Sequence, residues 1–78
     1  MINLQFYSTE GCHLCEEALL LCAPLLREGK ISMTTVDIAE SEKLVALYGI
    51  RIPVIQRIDS TAELAWPFDS DMLANFLL

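Results

Sequence analysis

The segment Phe6-Tyr7-Ser8-Thr9-Glu10-Gly11-Cys12-His13-Leu14-Cys15 passes from strand to turn to helix. In Asn3 to Ser8, Leu4 and Phe6 alternate with Gln5, and Tyr7 has high strand propensity, so this stretch reads as a strand. Thr9-Glu10-Gly11 is a turn. From Cys12 to Arg27 the spacing becomes helical, with Leu14, Ala18, Leu19, Leu21, Cys22, Leu25 and Leu26 covering much of the circumference. A helix that broad in its apolar surface is buried on more than one side or has a seam open to a partner. Cys12 then stands at or near the N-cap with Cys15 one turn inside. At a helix start, this spacing brings two sulfurs within reach of a disulfide.

Outward from this segment, Pro24 cannot donate to the Leu20 carbonyl. It kinks the helix or ends it near Ala23, and the continuing apolar pattern favours the kink. Gly29 terminates the helix. Ile31 to Asp37 is a second strand, at a distance from the first that accommodates a crossover helix, so the two strands are parallel in a βαβ unit. Ser41 caps a short helix, Glu42 to Tyr48, with Leu44, Val45, Leu47 and Tyr48 as its apolar contacts, and Gly49 ends it. Pro53 to Arg57 is a third strand and Ala62 to Trp66 a fourth, antiparallel to it across a turn at Asp59-Ser60. Asp69 or Ser70 caps a final helix that turns Met72, Leu73, Phe76 and Leu77 to the core. The order is βαβαββα in one domain spanning residues 1–78.

Composition narrows the function classes. The chain has 78 residues, 54% of them hydrophobic, which suits one domain with a single core rather than a disordered segment. The net charge is −6, and the five basic residues, Arg27, Lys30, Lys43, Arg51 and Arg57, form no run, which argues against nucleic-acid binding. Met1 to Phe6 lacks the basic start of a signal peptide, and the longest apolar run, Ala18 to Leu26, is about half a membrane span. The expected setting is the cytoplasm, with no membrane partner and a monomeric chain. Three cysteines fit a secreted disulfide framework poorly, and in a reducing compartment a close pair is catalytic or metal-binding. A metal would need Cys22 and His13 beside the pair. Cys22, however, lies two turns, about 10 Å, beyond Cys15 along the helix. It reads as a core residue, and no metal site is assigned.

The chemistry follows from the helix start. Exposed N–H groups and the helix dipole stabilise a thiolate on Cys12, whose free thiol would otherwise titrate at about 8.5. The Cys12 thiolate attacks a substrate disulfide to form a mixed disulfide. Cys15 then attacks Cys12, releases the reduced product and leaves an internal disulfide. A protonated His13 would favour the thiolate. Glu10, Glu16 and Glu17 oppose it.

The segment Phe6 to Cys15 resembles the strand, loop and CxxC opening of glutaredoxins. Tyr48-Gly49-Ile50-Arg51-Ile52-Pro53-Val54 resembles the thioredoxin-fold segment that leads into its cis-proline. The two occur in the family's order and at about its spacing, and the likeness is closest to small bacterial glutaredoxin-like proteins. The resemblance implies a thioredoxin fold, three layers α/β/α around a four-stranded mixed sheet. It implies Cys12 as nucleophile, Cys15 as resolving thiol, and Pro53 as a cis-proline facing the dithiol, with the Ile52 backbone presented to an extended substrate. It also implies a part in cell redox homeostasis and electron transport, with no tightly bound cofactor and with glutathione as a co-substrate.

The sequence departs from the family ahead of the last helix. Glutaredoxins carry a Gly-Gly pair followed by an acid there; this chain has Trp66-Pro67-Phe68-Asp69-Ser70-Asp71. A basic residue just before Cys12 is also missing. Arg51 remains as a partner for a substrate carboxylate.

The expected function is a thiol–disulfide oxidoreductase acting on glutathione mixed disulfides or protein disulfides, with His13, Arg51, Ile52 and Pro53 as binding residues. One alternative is a thioredoxin-fold adaptor or redox sensor without turnover, recognising a partner through Trp66-Pro67-Phe68 if that stretch is exposed. Another is glutathione-dependent iron–sulfur ligation through Cys12 of two subunits.

Overall fold

A computed structural model describes residues 1–78. The elements are β1 (Ile2–Ser8), α1 (His13–Arg27), β2 (Ile31–Asp37), a 3-10 turn (Ile38–Glu40), α2 (Glu42–Tyr48), β3 (Val54–Arg57), β4 (Glu63–Ala65) and α3 (Ser70–Phe76). The order is the expected βαβαββα with one added turn, which Asp37 starts by accepting the Ala39 N–H at 2.9 Å. The sheet runs β2-β1-β3-β4. β1 is parallel to β2 and antiparallel to β3, and β3 is antiparallel to β4. Two parallel neighbours need a crossover, and α1 supplies it.

Strand pleating sends alternate residues to two cores. Leu4 and Phe6 of β1 and Ile55 of β3 pack with Cys15, Ala18 and Cys22 of α1 and Leu73 of α3. On the other face, Tyr7 and Val54 pack with Ile38 and with Tyr48 of α2. The register pairs Phe6 with Ile55 and Tyr7 with Val54, so each pair shares one face. The result is the three-layer α/β/α arrangement. Burying each large side chain at the centre, such as Phe6, Leu4 or Ile55, contributes about 1.5–3 kcal/mol. Arg57 ties the sheet to the end of α3, donating to the carbonyls of Phe76 and Leu78 at 2.9 and 3.0 Å.

Helix α1 buries only Cys15, Ala18 and Cys22, one stripe at helical spacing. Leu14, Leu19, Leu20 and Leu26 face solvent, so this broad helix is not buried on more than one side. The helix runs on through Pro24 to Arg27. It closes in a Schellman arrangement: Gly29 N–H bonds the Leu26 carbonyl, Lys30 N–H bonds the Leu25 carbonyl, and Gly29 takes φ +72.

Several details differ from the sequence expectation. Val45 and Leu47 of α2 and Met72 of α3 are exposed. A two-turn helix lying on a sheet buries a single edge, here Tyr48 with Leu44 in α2 and Leu73 in α3. Pro53 lies outside β3, since it has no N–H for the ladder. β4 is confined to Glu63–Ala65. The β3–β4 connection is wider than a two-residue turn, and Thr61, at φ 60, supplies the left-handed position in the absence of a glycine. No helix is long and apolar enough to cross a membrane.

Candidate active site

Gly11, at φ +73, turns the chain out of β1 into α1. Cys12 follows in an extended conformation as the N-cap, and its sulfur does what a Ser or Asp oxygen usually does there. Sγ accepts the backbone N–H of Cys15 at 3.2 Å. The two cysteines form a disulfide with their Cα atoms 5.2 Å apart. Their surroundings differ. Cys12 is half-buried, whereas Cys15 is only 4% exposed and belongs to the α1 face of the core. Reduction would leave a Cys12 thiolate beside the Cys15 N–H and the positive end of a 15-residue helix, both of which stabilise it.

His13 points into solvent, and its Nδ1 lies 3.7 Å from Glu16 Oε2. Its recorded partner is thus an acid rather than a cysteine. Glu10, Glu16 and Glu17 are all exposed around this helix end.

The Ile52–Pro53 peptide bond is cis, as the resemblance implies. Pro53 is buried, and its carbonyl accepts the Trp66 N–H at 2.9 Å, so β4 backs this loop. Ile52 and Cys12 both pack against the core cluster that contains Cys15. The Ile52 N–H is already given to the Tyr48 carbonyl at 3.0 Å. An extended substrate would therefore have to bond through the Ile52 carbonyl.

Arg51 is committed within the protein. Its Nη2 lies 3.3 Å from Glu63 Oε1, and its guanidinium carbon is 5.5 Å from the centre of the Tyr48 ring. Glu63 also accepts the Tyr48 hydroxyl at 2.5 Å, and Tyr48 stacks on Tyr7 with ring centres 4.3 Å apart. The hydrogen bond to Glu63, reinforced by burial, raises the Tyr48 pKa above its ordinary value. Sequence reasoning treated Tyr48 only as an apolar contact and passed over Glu63. The available signal was strand alternation: Glu63 shares a face with Ala65, which packs on the Tyr7–Tyr48 side of the sheet.

Ahead of α3, Phe68 is buried and meets Trp66 edge-on at 5.1 Å, while Trp66 is half-buried and Pro67 exposed, so the Trp66-Pro67-Phe68 stretch is exposed only in part. Trp66–Pro67 is a second cis bond, which the sequence reading did not anticipate. Asp69 caps α3 with its own carboxylate, which accepts the Met72 N–H at 2.9 Å. Cys22 is fully buried, and burial raises its thiol pKa. No three His, Cys, Asp or Glu side chains stand together as metal ligands. The larger cavity, about 500 Å³, opens between α1, β2 and α3 and has none of the candidate site residues in its wall.

Residues 3–78 match the family model described as Glutaredoxin-like domain (DUF836). The chain belongs to this family. A structural-genomics target protein of X. campestris is 35% identical, with a TM-score of 0.81 over 95% of this chain and 93% of its own. Protein Ne2328 of Nitrosomonas europaea is 32% identical, with a TM-score of 0.83 over 99% of this chain and 92% of its own. A mutant thioredoxin of Halobacterium salinarum, 18% identical, superimposes with a TM-score of 0.69 over 97% of this chain and 71% of its own, a likeness of fold. No curated protein matches. A glutaredoxin-like thioredoxin fold with a Cys12–Cys15 pair at the head of α1 supports a redox-type function.

Proposed function

We propose that this glutaredoxin-like protein is a thiol–disulfide oxidoreductase, with Cys12 as the attacking thiol and Cys15 as the resolving one. The observation that carries the reading is the difference between two cysteines at one helix end: Cys12 is reachable and capped onto the Cys15 N–H, while Cys15 is sealed in the core. In the reduced protein the Cys12 thiolate attacks one sulfur of a substrate disulfide. A Cys12–substrate bond forms, and the other substrate sulfur leaves as a thiolate. Cys15, deprotonated, attacks Cys12 Sγ and expels the second substrate thiolate. Two electrons pass from the dithiol to the substrate, and the protein is left with the Cys12–Cys15 disulfide. Restoring the dithiol takes two electrons from an external thiol reductant, either glutathione or a protein dithiol. The cytoplasm is the compartment that would supply one.

Between the two substrate classes, protein disulfides suit this site better than glutathione. Asp69 fills the N-terminus of α3, and Arg51 is paired with Glu63, so neither offers a free partner for a glutathione carboxylate. The test is direct. Cys12→Ser should abolish exchange, and Cys15→Ser should accumulate a mixed disulfide visible as added mass on the intact protein. Titrating the native couple against glutathione buffers, read by mass spectrometry, reports its potential and separates glutathionylated protein from internal disulfide. A reduced protein that exchanges with no disulfide would refute the assignment.

A further inference from the structure

Arg51 is the one basic residue in the segment that presents Ile52 and Pro53. Glu63 holds it with a carboxylate that is itself fixed in place. One oxygen takes the Tyr48 hydroxyl at 2.5 Å, and the other faces Arg51 at 3.3 Å. Tyr48 is buried and stacked on Tyr7, with 17° between the ring planes, and Glu63 sits in a strand whose register against Gln56 of β3 is set by the sheet. An acceptor already ordered in this way keeps its cation without further loss of side-chain freedom, whereas an incoming carboxylate must displace it. The other charges at this end of the molecule, Glu10, Glu16 and Glu17, are acids with open access to solvent. No Lys or Arg flanks the dithiol in the sequence to offset these acids.

We infer that Glu63 is a specificity-determining residue: by occupying Arg51 it withholds the one cation of the segment that presents Ile52 and Pro53 and disfavours anionic disulfides, glutathione disulfide among them. The inference rests on the oxidoreductase reading above and adds which substrates that site discriminates against. Its physical content is a charge-dependent encounter and docking rate, steered by the local field and weakened by salt.

The experiment mixes the fully reduced protein with an excess of one of three small disulfides. These are glutathione disulfide, which is anionic; hydroxyethyl disulfide, which is neutral; and cystamine, which is cationic. Acid quenching, alkylation and mass spectrometry give the rate at which Cys12 and Cys15 are oxidised. Glu63→Gln keeps an oxygen for the Tyr48 hydroxyl and removes the charge, and Glu63→Ala serves if the glutamine variant does not fold. At low salt the ratio of the glutathione disulfide rate to the hydroxyethyl disulfide rate should rise by about 1.5- to fivefold, the range expected for releasing one partly exposed ion pair. The cystamine ratio should fall, the gain should shrink in high salt, and it should vanish in the Glu63→Gln, Arg51→Gln double variant. Unchanged ratios, a gain that survives in the double variant, or an equal fall in all three rates would each overturn the inference. A native protein that reacts with none of the three removes the dithiol reading itself, and this inference with it, a result distinct from the others.

Discussion

Cys12, Cys15 and Cys22 lie on one helix and meet three different environments. The first is capped at the solvent edge, the second is sealed beneath it, and the third is fully enclosed two turns on. Burial raises the Cys22 pKa, so its reactive thiolate is scarce as well as inaccessible. Reduced protein treated with iodoacetamide at mildly alkaline pH should therefore label Cys12 first. Cys22 should react roughly tenfold more slowly or less, until a denaturant opens the core; peptide mass spectrometry reads the order. The placement of the pair at a helix start and of Cys22 in the core was legible in the sequence, because these are positions along one element; the sealing of Cys15 was not. Arg51 was legible only as a cation. Its pairing with Glu63 joins residues from different elements, and no local spacing announces it.

At the scale of elements, chain punctuation was read best. Gly29 ends α1 in the left-handed conformation that closes its last turn, and a Cβ placed there would meet nothing within 4 Å. Gly29→Ala should therefore cost backbone strain alone, roughly 1 kcal/mol, seen as a lower urea midpoint with an unchanged m value. Which residues the short helices bury was read less well. α2 and α3 have seven residues each, two turns, and so short a pattern does not single out one apolar stripe. The sheet beneath makes the choice, burying Tyr48 and Leu73 and leaving Val45, Leu47 and Met72 outside.

At the scale of the whole molecule, the Tyr48–Glu63 hydrogen bond joins α2 to β4 over one face of the sheet. The folded state holds the Tyr48 proton more tightly than the unfolded chain does, for which the ordinary value is 10.0. Above that pH the unfolded chain has lost the proton while the native protein keeps it, so the native state binds more protons and stability falls as pH rises. The contribution of this phenol is whole at neutral pH, begins to decline at about 10, and is lost as pH climbs through the folded value. Urea unfolding from neutral to alkaline pH should show that decline, and Tyr48→Phe should flatten it while lowering stability at neutral pH. A slope that the substitution leaves untouched would assign the alkaline loss to other groups.

By itself the sequence determined the order of elements, the parallel βαβ opening, the placement of the dithiol at a helix N-terminus and, through resemblance, the cis bond before Pro53. Those features are encoded locally, in alternation, capping residues and the Cys12–Cys15 spacing. Only the tertiary structure decided that Cys15 is sealed while Cys12 is reachable, that the Ile52 N–H is already spent on Tyr48, and that Arg51 is held by Glu63. Each of these depends on what the sheet brings together from distant parts of the chain, and side-chain charge and burial are properties of that meeting rather than of the residue alone.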